Sequence, residues 1–364
     1  DWGAVKAQFA LDYRRRQFAS FLLSPHPAPV REAIERHRRG LDAAGAGYLH
    51  DNGGRLGGAV AAAAGAHLGV PPGEIAFTDS TTMGLALLYS GLRLRDRDEI
   101  VTTEHDHYAT HESLRLSGHR VRRIRLYRDP AKASVDRIVS AVRRGIGPRT
   151  RVLAVTWVHS STGVKLPLRE IAAALPERVL LCVDGVHGLG AERARMADLG
   201  CDAFVAGTHK WLGGPRGTGL VWARPSVWKR VKPVIPPFGG GSPGADHTPG
   251  GYHSFEHRWA LAEAFAWQAA IGQDAIAGRI HALAARLKGG LGARVVTPAD
   301  PAVSAGLICC AVARPREVVR RLADEHGIVA SVTPYATEYL RLGTSLTVDE
   351  ADVDAAIRAV GAVA

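Results

Sequence analysis

Residues Phe204–Thr218 read FVAGTHKWLGGPRGT. A short apolar run, Ala203–Ala206, ends in Gly-Thr-His, then comes Lys210, then Trp-Leu and a glycine-rich turn. Apolar residues that give way to small and hydroxyl residues predict a buried strand that stops at a ligand. A lysine placed there loses water, and burial lowers an amine's pKa towards the range where it is a nucleophile. Most lysines are solvated, so this stretch needs support from elsewhere in the chain.

The support lies upstream. VLLCVDGVH (Val179–His187) is an apolar strand that ends in Asp184, with His187 three residues later. A strand-end acid followed 26 positions on by a strand-end lysine is the arrangement needed to hold pyridoxal 5′-phosphate (PLP). The lysine forms the imine, and the acid keeps the pyridine nitrogen protonated so that the ring accepts electrons. VDGVHGLG followed by AGTHKWLGGPRGTG resembles the class V aminotransferase group of fold-type-I PLP enzymes. The Asp-Gly-x-His form is closer to the isopenicillin N epimerase-like branch than to the cysteine desulfurases. The likeness runs from about SPHPAPVREAI, at Ser24, to the final helix.

At 364 residues the chain is long enough for two domains around a sizeable core, and its composition is that of a soluble globular protein. No apolar stretch approaches the roughly 20 residues that cross a bilayer. Arg14–Arg16 ahead of Phe18–Leu23 is too short an apolar run for an export signal, although a start at Asp1 leaves a removed leader open. Cys182, Cys201, Cys309 and Cys310 have neither metal nor disulfide spacing and read as core residues of a reducing, cytoplasmic compartment. Of the net charge of +11, ten units come from Arg115–Arg151. Within that segment RVRRIRLYR alternates like a strand with one wet face, and IVSAVRRGIG has the pattern of an amphipathic helix. A solvated scaffold face is preferred to a nucleic-acid patch, for which interleaved aromatics are missing; attraction of an anionic substrate stays open.

From Glu74 onward, seven strand-like runs (EIAFT, EIVTT, RVRRIRL, RVLAVTW, RVLLCVD, AFVAG and GLVWA) alternate with helical stretches. This predicts an α/β fold with a mostly parallel seven-stranded sheet covered on both sides and ligands at the strands' carboxyl ends. The expected organisation is an N-terminal arm over 1–25, a large cofactor-binding domain over 26–235, and a third part over 236–364. That last part holds a Gly/Pro-rich linker, one long helix over Phe255–Leu287 and a smaller α/β domain. GGRLGG (Gly53–Gly58) lacks the Lys-Ser/Thr of a phosphate loop and is expected as a turn before the helix Ala59–His67.

The remaining site residues follow from these positions and from the resemblance. Thr81 and Thr82 start a helix after a strand, where free amides favour an anion; an ordinary N-cap is the alternative. The family motif places them on the cofactor phosphate, with Gly207, Thr208 and His209 nearby. In TTEHDHYAT the resemblance implies a ring stacked on the cofactor, with His105 the better match and His107 the fallback. Ser160 stands where desulfurase-like relatives have an asparagine on the ring oxygen, so His187 is expected to make that contact. His159 has no family role and is a candidate substrate contact, as are His107, Ser24 and His26; His26 is equally a solvated turn histidine. Arg341, between apolar neighbours in EYLRLGTSL, matches the family's clamp on the substrate α-carboxylate, which suits a bidentate guanidinium. Arg258 is chemically able to bind phosphate, at a place where fold-type-I dimers carry a Gly-Thr pair.

The resemblance implies an enzyme acting on an L-α-amino acid. Lys210 and Asp184, with His105, would generate an external aldimine and then a Cα carbanion (quinonoid), with no metal. A homodimer is expected, with no membrane or nucleic-acid partner. Epimerase, transaminase and lyase outcomes in secondary metabolism stay open. An O2-dependent oxidase, or a monooxygenase-decarboxylase of the capuramycin-type group acting on an amino-acid nucleoside, is the alternative. Cysteine desulfurase activity is expected to be absent, because SVTPYATEYLR carries no cysteine before Arg341. A non-catalytic basic nucleic-acid-binding protein is the rival from another class.

Overall fold

The computed structural model describes residues 1–364. Seven strands form the main sheet: β1 Ile75–Thr78, β2 Glu99–Thr103, β3 Val121–Ile124, β4 Thr150–Thr156, β5 Leu180–Asp184, β6 Ala203–Gly207 and β7 Gly219–Ala223. Their order is β1-β7-β6-β5-β4-β2-β3. Strand β7 runs antiparallel to both of its neighbours; the other pairings are parallel. The fold is therefore the predicted α/β class with a mostly parallel seven-stranded sheet.

Burial on both faces explains why the inner strands are mostly apolar rather than alternating, whereas edge strand β3 exposes Arg122 and Arg123 between half-buried Val121 and Ile124 and so does not alternate as expected. Phe204 and Ala206 point into one core with Leu153, Val155 and Val183. Ala203 and Val205 point into the opposite core with Val152, Ala154 and Cys182. Helices α1 (Ala28–Ala44), α2 (Ala46–Leu68) and α3 (Thr81–Gly91) precede or follow β1; α4 (Tyr108–Leu116) and α5 (Val135–Gly145) flank β3. The four cysteines are buried and unpaired. No helix is long and apolar enough to cross a membrane.

Beyond the sheet, helices α6 (Phe255–Ile271) and α7 (Gln273–Leu291) lead to strand β8 (Leu307–Cys310). Helix α8 (Pro315–His326), strands β9 (Ser331–Val332) and β10 (Leu340–Gly343), and helix α9 (Glu350–Val363) complete the chain. Strands β8, β9 and β10 form an antiparallel sheet of order β9-β10-β8 with its own core of Ile308, Leu322, Leu340, Leu342 and Val360. The N-terminal arm docks here: Phe18 joins that core, Arg16–Gln17 pairs with Ile328–Val329, and Lys6 Nζ reaches Asp349 at 2.7 Å.

Two local expectations are corrected. GGRLGG is not a turn but lies inside α2, which runs unbroken from Ala46 to Leu68. Tyr48 at its start bonds His37 of α1 at 3.1 Å, and Val60, Ala64 and Leu68 are buried further along. Packing at both ends thus carries the glycines, each of which costs about 1 kcal/mol in a helix. The single long helix over Phe255–Leu287 is two helices, separated at Gly272, whose φ of 97° no helical residue adopts.

Candidate active site

The parallel strands β2, β4, β5 and β6 end on the same edge of the sheet, and their loops carry the titratable groups. Asp184, the last residue of β5, is 1% exposed, and its Oδ1 accepts the Val186 N–H at 3.1 Å. Gly185 follows because a Cβ there would sit 2.0 Å from the Phe204 ring. Three residues past the end of neighbouring β6, Lys210 lines the same cleft as Asp184. Burial raises the Asp184 carboxyl to about 6, offset in part by the Val186 N–H and the Lys210 charge. Burial lowers the Lys210 amine to about 8; Asp184 pulls the other way and Arg341 adds to the fall.

Around this pair the cleft, of about 230 Å³, is walled by Thr81, Thr82, His107, His187 and His209. The Trp211 indole donates to His187 Nδ1 at 3.3 Å, which leaves Nε2 as the N–H of the neutral ring. Burial holds that imidazole well below its ordinary range, with Lys210 and Arg341 adding to the effect. His107 Nδ1 accepts the Ala109 N–H at 3.1 Å and so caps α4.

At the other end of the cleft, Ser80 caps α3 by accepting the Met83 N–H. The Thr81 hydroxyl accepts the Gly207 N–H at 2.7 Å, tying the start of α3 to the end of β6. His209 Nδ1 is buried there without a partner. Arg258 lies near Asp79, Nη2 to Oδ1 3.7 Å, and burial lowers its guanidinium to about 10 against the pull of Asp79. Thr208 is turned away, its hydroxyl bonded to the carbonyl of Thr218 at 3.0 Å.

Arg341 is 4% exposed in β10. Its Nε donates to Ser331 Oγ at 3.0 Å and its Nη1 to the Ser160 carbonyl at 3.2 Å, while the guanidinium lies 4.7 Å from the centre of the Phe21 ring. Ser160 Oγ meets the Tyr335 hydroxyl at 2.5 Å. The Ser24 N–H donates to the His209 carbonyl, so the arm is fastened beside Lys210. His26 is buried rather than solvated, with Nε2 unpartnered.

Two expected residues lie elsewhere. His105 stacks on Tyr127, ring centres 3.8 Å apart, and borders a different cavity. His159 is fully buried, its Nδ1 bonded to the Tyr127 hydroxyl at 2.8 Å. Of the two histidines flanking Asp106, the structure brings His107, not His105, into the cleft of Lys210. The cleft also contains Leu22, Tyr108 and Val186, which carry no sequence signal of chemistry.

The model of the family "Aminotransferase class-V" matches residues 59–332. An isopenicillin N epimerase of Streptomyces clavuligerus is 28% identical over 267 residues, 66% of this chain and 67% of that protein. A probable cysteine desulfurase of Pseudomonas putida is 36% identical over 154 residues, 42% of this chain and 38% of the other. The apo structure of a cysteine desulfurase from Thermococcus onnurineus superposes with a TM-score of 0.88 at 19% identity, covering 99% of this chain and 98% of that one. Its likeness is one of fold. The expectation that a missing cysteine excludes desulfurase chemistry does not stand: proteins bearing that name are among the relatives by sequence.

Proposed function

This chain belongs to the class-V aminotransferase family, and we propose that it binds pyridoxal 5′-phosphate at Lys210 and acts at the Cα of an L-α-amino acid. The observation that carries this reading is the pairing of a buried carboxylate and a dehydrated amine at the ends of neighbouring strands β5 and β6, facing one cleft. The cleft's chemistry fits the cofactor. Asp184 would hold the ring nitrogen, and the Nε2–H of His187 the ring oxygen. His107 would lie on the ring face, and the start of α3 with His209 and Arg258 would take the phosphate. His209 Nδ1, buried without a partner, would find one there. Pyridoxal phosphate supplies, when bound, a sink for the electron pair released when a bond at Cα breaks.

The chain's own groups do the rest. Arg341, fixed through Nε and Nη1, presents its remaining N–H groups to the substrate carboxylate. Lys210 Nζ, with an amine near 8, is about one-tenth neutral at pH 7, and takes the Cα proton as a base within the cleft. His107 is lowered by burial to about 4 and stays neutral there, so it adds no charge beside Lys210. The assembly proposed is a homodimer.

The test is direct. Purified protein mixed with pyridoxal phosphate is expected to turn yellow, and borohydride followed by peptide mapping to place the cofactor on Lys210. Lys210→Ala is expected to lose the colour. A reduced adduct on any other peptide sinks the reading. The relatives' names set the order of assays with amino acids: epimerisation and sulfur release from cysteine first, then transamination and oxygen uptake.

A further inference from the structure

A second cavity, of about 370 Å³, lies behind Tyr335, between His105 and Tyr127–Pro130 on one side and the loop Tyr335–Tyr339 on the other. Nothing in the reaction chemistry above uses it. We propose that this cavity is the substrate's side-chain subsite and that it selects an amino acid with an anionic far end, such as a phosphate, phosphonate or carboxylate. The inference rests on the active-site reading above and adds the class of substrate.

Position is the first argument. The Ser160 carbonyl holds Arg341, and the Ser160 hydroxyl holds Tyr335. The next two residues, Ser161 and Thr162, line the second cavity. Tyr335 lines this cavity and is tied through Ser160 to Arg341, with the Asp184 charge acting on its hydroxyl. A side chain leaving a Cα whose carboxylate sits on Arg341 has this space next to it. Tyr335 is on a loop with a firm base: the Thr333 N–H donates to the Tyr339 carbonyl at 3.0 Å, and Thr333 Oγ1 accepts the Tyr339 N–H at 2.8 Å. The opposite side is stiff too, because Tyr127 is stacked on His105 and bonded to both His159 and Thr162.

Charge is the second argument. The carboxylate on the cavity wall, Glu104, is neutralised by Arg125 at 2.6 Å. Tyr127 and Arg128 continue into an open groove of about 600 Å³ that also holds Arg125, Arg137 and Arg144, against the single carboxylate of Asp136. The ion pairs of this segment, Arg122–Glu99, Arg125–Glu104, Lys132–Asp129 and Arg151–Asp98, leave Arg128, Arg137 and Arg144 unneutralised. Guanidinium groups lining a concave surface suit phosphate and carboxylate, and they attract anions from a distance. A neutral side chain gains nothing from them.

The holoenzyme is titrated with L-2-amino-5-phosphonopentanoate, with L-norleucine as its neutral counterpart, and with L-alanine, following the cofactor's absorbance. Wild type is expected to bind the phosphonate about ten-fold or more tighter than norleucine, the scale of one charged hydrogen bond. That ratio is expected to collapse in Arg128→Ala and to fall in Arg144→Ala. It should survive in Arg149→Ala, which removes the same charge from an exposed site outside both cavities. Equal affinities in wild type, or a ratio indifferent to Arg128→Ala, overturn the proposal while leaving the active-site reading intact. A spectrum that answers to none of the three amino acids overturns the active-site reading, and this inference with it.

Discussion

At Asp106 one carboxylate fastens two strand ends. It accepts the Thr102 hydroxyl at 2.8 Å and the Thr103 N–H at 2.6 Å from β2, and the Thr156 N–H at 2.5 Å from β4. Asp106→Asn puts an amide NH2 against backbone donors. The expected cost is about 3 kcal/mol, since charged hydrogen bonds are worth about 1.5–3 each and an orphaned donor adds to the loss. A fall in Tm of several degrees with weaker cofactor binding should follow; a melt and a cofactor titration both matching wild type would refute the role. The same residue explains why the choice between His105 and His107 was not legible. Both follow a strand, two positions apart, and only the inward pull on Asp106 sends them to opposite sides of the loop. Asp184 could be picked out, because a strand–Asp–Gly–x–His run is rare enough to carry its own meaning. Its burial has a measurable consequence. An acid raised from 3.8 to about 6 contributes stability that is complete below pH 3.8 and lost as pH rises through 6. At pH 7 the cofactor-free protein therefore carries a penalty on the order of 2–3 kcal/mol. Asp184→Asn is expected to raise the denaturation midpoint of the cofactor-free protein at pH 7 while abolishing firm cofactor binding. A lower midpoint would show that the carboxylate stabilises the empty fold.

Among the elements, the strands were the most legible because burial on both faces makes most of them short apolar runs bounded by turn residues, and all seven runs, the exposed edge strand β3 included, form strands of one sheet. Helix α4 starts at Tyr108 because His107 before it supplies a cap. The first half of helix α2 departs from the expected turn because its glycines argue locally for one, and contacts to the adjoining α1 and to α6, remote in sequence, override them. This leaves a test of the override. A Cβ added at Gly54 or Gly58 meets nothing within 4 Å, and both positions are exposed inside the helix. Gly54→Ala and Gly58→Ala are each expected to stabilise the protein by about 0.5–1 kcal/mol, the helix propensity difference, read as a higher midpoint in urea at unchanged slope. A loss of stability from either would mean that another surface packs on this face. The loop 333–339 illustrates the opposite limit: its polar sequence carries no periodicity, and Tyr335 acquires its place only through contact with Ser160.

Over the whole molecule, composition announced a globular protein and the location of its charge, but not the fate of its histidines. Of the 16 in the chain, nine are driven down by burial, and seven of them furthest: His26, His67, His107 and His209 to about 4, His105 and His159 to about 3, and His187 well below its ordinary range. Five of them sit on loops after strand ends, where the sheet delivers them, and apart from His187 in its Asp-Gly-x-His run no local pattern distinguishes them from solvated histidines. Unfolded histidine takes up its proton near pH 6.5, whereas these remain neutral in the fold until about pH 4. Between those values the unfolded chain binds more protons, so stability is intact above about 6.5 and drains away as pH falls. A histidine held to about 4 forfeits up to about 3 kcal/mol across that window, and a total stability of about 5–15 kcal/mol is exhausted by a few of them. The rise in Asp184 works in the other direction, but it is one group against seven. The cofactor-free protein is therefore expected to unfold cooperatively on acidification, with a midpoint between about pH 4.5 and 5.5 and a net uptake of several protons, measured by circular dichroism against pH. His67 separates this cause from general charge repulsion. It lies outside the cleft against Phe265, ring centres 5.1 Å apart, with both ring nitrogens buried and unpartnered. His67→Leu removes one titration and two orphaned polar atoms at similar volume. It is expected to add about 1–2 kcal/mol at pH 7 and to move the acid midpoint downward, whereas an unmoved midpoint would assign acid unfolding to the +11 charge instead.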